Sequence, residues 1–181
     1  MLSISGLFAR KTDRRAACDL YEHIRSQSRL PVFYTDFSVS DSLDGRFDIL
    51  VLHLFLVLNR FEGKERDHPA LRCLTDRMID DLDAALREMG VGDLSVPKKI
   101  KALAKAALGR LEAYHAACSG GAAQDAFEKA LARNVYRSEE TGAPAVRALA
   151  GYAQTVSDDL AAQQKEMILS GRVRFPEPAV I

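Results

Sequence analysis

Apolar residues recur along this chain every three or four positions and almost nowhere every second one, which is the period of amphipathic helices. The first such run starts near Asp13 and puts Ala17, Leu20, Tyr21 and Ile24 on one face. It ends before Pro31, because a residue preceding proline is pushed out of the helical region. A second helix is predicted over 43–61, with Ser42 or Asp41 as its cap. A third begins near Pro69, a residue suited to a first helical turn, and carries Leu71, Leu74, Met78, Leu82, Leu86 and Met89 as an unbroken ladder to a stop at Gly90. The fourth starts near Pro97 and turns Ile100, Leu103, Ala107, Leu111 and Tyr114 inward. The fifth spans about 122–136 on Phe127, Leu131 and Val135. The last runs from about Pro144 to Leu169 on Val146, Leu149, Tyr152, Val156, Leu160 and Met167. The expected fold class is all-α, a single compact domain of about six helices around a buried central helix at 43–61. An arm at 1–12 precedes the helical domain at 13–171, and a tail at 172–181 carries two prolines.

Two stretches break the pattern. "LPVFYTDFSVSDSLDG" is aromatic without helical period. It is either a strap sealing the core or a partly exposed binding strip, and both readings stay open. Ile49 to Leu58 is ten residues with His53 as the one polar interruption. A membrane span needs about 20 apolar residues, and here Arg46 and Asp48 stand on one side, Asn59 and Arg60 on the other. A short helix apolar on every face belongs in the middle of a helical domain. Leu56 and Val57 stand where a second ligand to a His53-bound metal would be needed. His53 therefore reads as a hydrogen-bonded core residue, and no metal or other cofactor is expected.

Charge changes little globally and more locally. The chain has 25 basic and 25 acidic residues, so no overall field draws it to nucleic acid or anionic lipid. Asp76, Asp80 and Asp83 share a helix face, as carboxylates do in Mg²⁺-dependent all-α isoprenoid enzymes. Ala84 breaks that enzyme pattern, and a solvated acidic face is the plainer reading. Lys98, Lys99, Lys101, Lys105 and Arg110 occur before any acid appears at Glu112. This basic face pairs with the acidic helix, or it docks on RNA, a ribosome or anionic lipid headgroups. Cys18, Cys73 and Cys118 have neither metal-ligand nor disulfide spacing and read as free buried thiols. The chain carries no glycine-rich phosphate loop and no GxSxG nucleophile elbow, so no catalytic set is assigned. Leu2, Ile4, Leu7 and Phe8 beside Arg10 and Lys11 form an arm that is frayed or touches a membrane surface.

Pattern alone stops at a helical domain, but two long strings go further. "SLDGRFDILVLHLFLVLNRFEG" (Ser42–Gly63) and "DDLDAALREMGVGDLSVPKKIKALAKAALGR" (Asp80–Arg110), with "RNVY" at Arg133–Tyr136, resemble the signature of the ubiquinol–cytochrome c chaperone family. The resemblance runs from about Thr35 to Gly171 and is closest to short bacterial members. It implies a non-enzymatic assembly factor for respiratory complex III with newly made cytochrome b as partner. A ribosome or a small protein is a further partner in such a role, and sequence-specific nucleic acid is not. The implied location is cytoplasmic, with peripheral contact at the cytoplasmic face of the inner membrane. A chaperone for a membrane protein must offer an apolar surface with a polar rim. The candidates are Val32, Phe33, Tyr34 and Phe37 with Val173 and Phe175 of the tail, rimmed by Asp44, Arg46 and Asp48. Lys98, Lys99, Lys101 and Lys105 are the candidate docking face.

Overall fold

The computed structural model describes residues 4–119, 123–140 and 142–179. Every regular element among the described residues is helical, and the chain is all-α. In chain order these are α1 (Ile4–Ser28), α2 (Val32–Thr35), α3 (Leu43–Asn59), α4 (Pro69–Glu88), α5 (Val96–Cys118), α6 (Ala123–Leu131), α7 (Pro144–Ala162) and α8 (Lys165–Leu169). A 3-10 turn at Gly63–Asp67 leads into α4, and a π turn at Ala132–Tyr136 continues α6. α2 is a helix beyond the expected set, too short for a 3.6-residue period to register, and α8 is the end of the expected last helix, separated from α7 at residues 163–164. The chain divides into two compact units, each built from three stretches. One takes Met1–His23, Phe61–Leu108 and Gln163–Val173; the other takes Ile24–Arg60, Gly109–Ala162 and Arg174–Ile181.

In the first unit, Ala17, Leu20 and Tyr21 of α1 are buried, as are Leu71, Leu74 and Met78 of α4. Tyr21 donates its hydroxyl to Asp81 at 2.8 Å, and Arg77 lies over its ring. α4 opens as its sequence predicts. Pro69 occupies the first turn, and His68 accepts the Ala70 N–H through Nδ1. It closes at Gly90, whose φ of +79° admits the left-handed stop. The Val91 N–H reaches the Leu86 carbonyl and the Gly90 N–H reaches that of Arg87, which satisfies two terminal carbonyls. α8 is tied to the 3-10 turn by Lys165 and Glu65, 2.6 Å apart. Gly171, at φ +93°, then lets the chain pass close over α1. A Cβ there would lie 2.9 Å from Cβ of Asp19.

The second unit is organised by α3. Its residues from Phe47 to Val57 are all buried, whichever way they face. Ser42 caps it by accepting the Gly45 N–H at 3.1 Å. Gly45 is required for a second reason: a Cβ there would fall 2.0 Å from the Ser40 carbonyl oxygen. α7 was expected to continue to Leu169 and stops at Ala162. Arg60 donates to the carbonyls of Leu160 and Ala161 and satisfies the helix end from outside. The π turn ends at Arg137, a non-glycine residue with φ +52°.

α1 begins at Ile4 instead of near Asp13, because residues 4–12 hold no proline to stop it. Residues 1–3 and the side chains of 4–10 lie outside the described residues, and so does the membrane contact expected of the arm. The thiols correct an expectation. Cys18 and Cys118 are exposed and Cys73 is half-buried, since each sits beside its helix's inward stripe and not on it.

Gly45→Ala should therefore lower unfolding stability by about 2 kcal/mol or more, the cost of forcing apart packed backbone. Gly151→Ala, where nothing lies within 4 Å, should be neutral or stabilising by up to about 1 kcal/mol from helix propensity. Urea unfolding of both variants checks the contrast.

Candidate functional site

α3 carries two polar side chains into the interior, Asp48 and His53, and both are fully buried. His53 Nδ1 lies 2.8 Å from the Ile49 carbonyl oxygen. A carbonyl can only accept, so the ring proton sits on Nδ1. Nε2 then accepts from the Tyr152 hydroxyl of α7, also at 2.8 Å. Gln27 of α1 donates to that hydroxyl and to the Pro176 carbonyl, each at 3.1 Å. Phe33, Tyr152 and Phe175 meet the imidazole, with ring centroids 5.3–5.7 Å from its own. Burial pushes the His53 pKa down to about 4, against a smaller upward pull from its bond to Ile49. Both nitrogens are engaged by protein groups, so neither is offered to a metal. Among the described residues, no group of three or more His, Cys, Asp or Glu side chains is placed to hold one.

Asp48 belongs to the "DGRFD" string, and the last four of its letters each have a task. Gly45 admits the Ser40 backbone. Arg46 reaches Asp41 at 2.6 Å and lies over the Tyr34 ring. Phe47 packs beneath the guanidinium of Arg110. Asp48 accepts from Arg110 of α5 at 2.7 Å through one carboxylate oxygen and from Arg137 through the other. Arg137 also donates to the Asn134 and Val135 carbonyls, which holds its left-handed backbone in place. Burial pushes the Asp48 pKa up, and the guanidiniums of Arg137 and Arg110 oppose that shift.

The residues expected to receive a client fall into two sets. Phe33 and Phe37 are completely buried, so these two rings seal the core and offer no surface to a client. Asp48 is internal, held by its arginines, and forms no rim. Asp44 and Arg46 are exposed, while Tyr34 and Phe175 are half-buried. Leu43, absent from the expected set, stands 68% exposed at the first position of α3. Beside α7 and the tail is a cleft of about 440 Å³, lined by Pro144, Arg147, Ala148, Gly151, Thr155 and Glu177 among others.

Residues 35–175 match the model of the family described as ubiquinol–cytochrome c chaperone. The chain belongs to this family. Its fold is also that of the Cbp3 homolog from Brucella abortus, whose crystal structure is 32% identical. The TM-score is 0.78, and the match covers 97% of each chain. No curated protein sequence matches. Members of the ubiquinol–cytochrome c chaperone family are assembly factors of complex III and not enzymes, and this chain is one of them.

The acidic helix face fits that assignment. Asp76 and Asp80 point to solvent, and Asp83 pairs with Arg87 at 2.6 Å. No second carboxylate cluster faces them among the described residues. Lys98, Lys99, Lys101 and Lys105 are all exposed. None of them joins an ion pair among the described residues, so their pairing with the acidic helix is not seen. No described helix is long and apolar enough to cross a membrane.

Two measurements probe the buried pairs. The His53 pKa in the unfolded chain is about 6.5, above its folded value. Its contribution to stability is therefore complete above about pH 6.5 and is lost as pH falls toward 4, by roughly 3 kcal/mol. Urea midpoints should fall through that window, and His53→Gln should flatten the slope. A slope unchanged in the variant assigns the effect to other groups. Arg137→Met should cost about 1–3 kcal/mol. The same change in an Asp48→Asn background should cost distinctly less, because the buried charge it abandons is gone.

Proposed function

We propose that this protein holds newly made cytochrome b while complex III is assembled, acting at the cytoplasmic face of the inner membrane. The observation that carries the reading is the family match over residues 35–175, joined to structural likeness over nearly the whole chain. Cytochrome b is the apolar subunit of that complex for which a holding factor is most needed. Its unpartnered membrane helices expose far more apolar surface than a water-soluble monomer tolerates. The client meets the second unit at its uncovered positions. Leu43, Tyr34, Asp44 and Arg46 form an apolar contact with a charged rim at the head of α3. The cleft along α7 offers Ala148, Gly151 and Thr155, whose small side chains let another helix approach closely. Phe175, held against His53, edges the same unit. Release needs no nucleotide, because a shallow apolar contact exchanges its client by dissociation.

Deleting the gene should lower cytochrome b and complex III and leave other respiratory complexes at their normal level. A photo-crosslinker at Leu43 or Thr155 should capture cytochrome b in cells, and one at Asp125, an exposed residue of α6, should not. Normal cytochrome b in the deletion strain defeats the proposal. Capture from Asp125 alone would move the client to another face.

A further inference from the structure

The string "MGVGDLSVPKKIKALAK" places residues where neither the fold nor the client surface uses them. Gly92 to Ser95 is a tight turn, closed by the Ser95 N–H on the Gly92 carbonyl at 2.8 Å. Such a turn is served by glycine, asparagine, aspartate or serine. Position 94 instead holds a leucine that is 99% exposed, and Met89 at the close of α4 is 50% exposed. A single exposed leucine is ordinary, but this one introduces a charged face. On a helical projection, Lys98, Lys101, Lys105 and Leu108 fall within an arc of about 80°, on the side of α5 away from buried Val96 and Ala107. The stripe is about 15 Å long and ends on Leu108, itself 56% exposed. Lys99 stands beside it, and no carboxylate occurs from Val96 to Leu111. The acid that precedes the stripe in sequence, Asp93, is already paired with Arg87.

We propose that this face docks on an anionic lipid surface. Leu94 and Met89 enter the boundary between headgroups and acyl chains, and the lysines meet the phosphates behind them. A cationic patch alone would equally suit RNA. A polynucleotide backbone, however, has no use for a leucine presented at a turn tip, and the face carries no aromatic side chain on which a base could stack. The inference deepens the proposed reading, that of a chaperone working beside a membrane, and rests on it for which membrane is met. The lipid contact is tested without any client, so the two can fail separately.

The test is flotation of the purified full-length protein with vesicles of phosphatidylcholine containing about one third phosphatidylglycerol, beside vesicles of phosphatidylcholine alone. The protein should float with the anionic vesicles only, and less at high salt. Leu94→Ser should weaken partition about tenfold. Lys98→Glu, Lys101→Glu and Lys105→Glu together should weaken it roughly a hundredfold or more. All these positions are exposed, and unchanged helical circular dichroism confirms that the variants fold. Because the chain has no tryptophan, Leu94→Trp supplies a lone indole whose emission should shift to the blue on anionic vesicles. Failure to float overturns the proposal. So does flotation indifferent to both sets of changes, which would put the lipid contact elsewhere. Lysine-dependent RNA binding that ignores Leu94, without vesicle binding, overturns it in favour of a nucleic acid.

Discussion

The second unit is arranged around two polar groups that α3 carries into an apolar interior. A buried carboxylate and a buried imidazole each cost several kcal/mol unless they are matched. His53 lies five positions after Asp48, so at about 100° per residue the two leave the helix on well-separated sides. One side fetches Arg110 from α5 and Arg137 from beyond the π turn. The other fetches Tyr152 from α7 and, through it, Gln27 of α1 and the tail at Pro176. Hydrophobic burial supplies the attraction, but it is nondirectional. A helix apolar all round can rotate within its socket at modest cost, whereas two hydrogen-bonded groups on different sides admit one rotation and one depth.

The same pairing explains local features that are unfavourable on their own. Arg137 keeps a left-handed backbone because its side chain is committed to Asp48 and to two carbonyls of its own turn. The π turn sets that arginine at the right distance. Where this family's signature strings fall on the second unit, they largely encode the latch: cap, close-packed glycine, buried carboxylate and the turn that answers it. The exposed residues at the head of α3, Leu43, Asp44 and Arg46, alternate with those strings' buried letters.

What could be read from the sequence follows from the range of each interaction. The caps at Ser42 and Pro69 and the stop at Gly90 depend on neighbours within a few residues, and they stand where the chain predicts them. The burial of α3 was legible from its composition. Asp48 was read as a rim because its partners lie 62 and 89 residues away and nothing near it announces them. The break after α7 was invisible for the same reason, since its cap comes from Arg60, about 100 residues earlier. Nothing in the sequence separates Phe33 and Phe37, which are buried, from Tyr34 between them, which is half-buried. The lysines were legible because a charge run cannot enter a core. Leu94 was not, because an apolar residue is read as buried until its exposure is seen.

The long reach of these contacts also governs when the protein exists. Gly171 closes over Ala16 and Asp19 in the first unit. Gln27 waits for Pro176, 149 residues later, in the second. Each unit thus has its first and last stretches in contact, and neither is completed until residues 171 and 176 have been made. Loop closure of this span must precede the contacts that reward it, which slows folding relative to a simple helical hairpin. At least 149 further residues must therefore be made after Gln27 before its bond to Pro176 can form. The second unit is completed late in the making of the chain, since the residue that engages its oldest helix is among the last described.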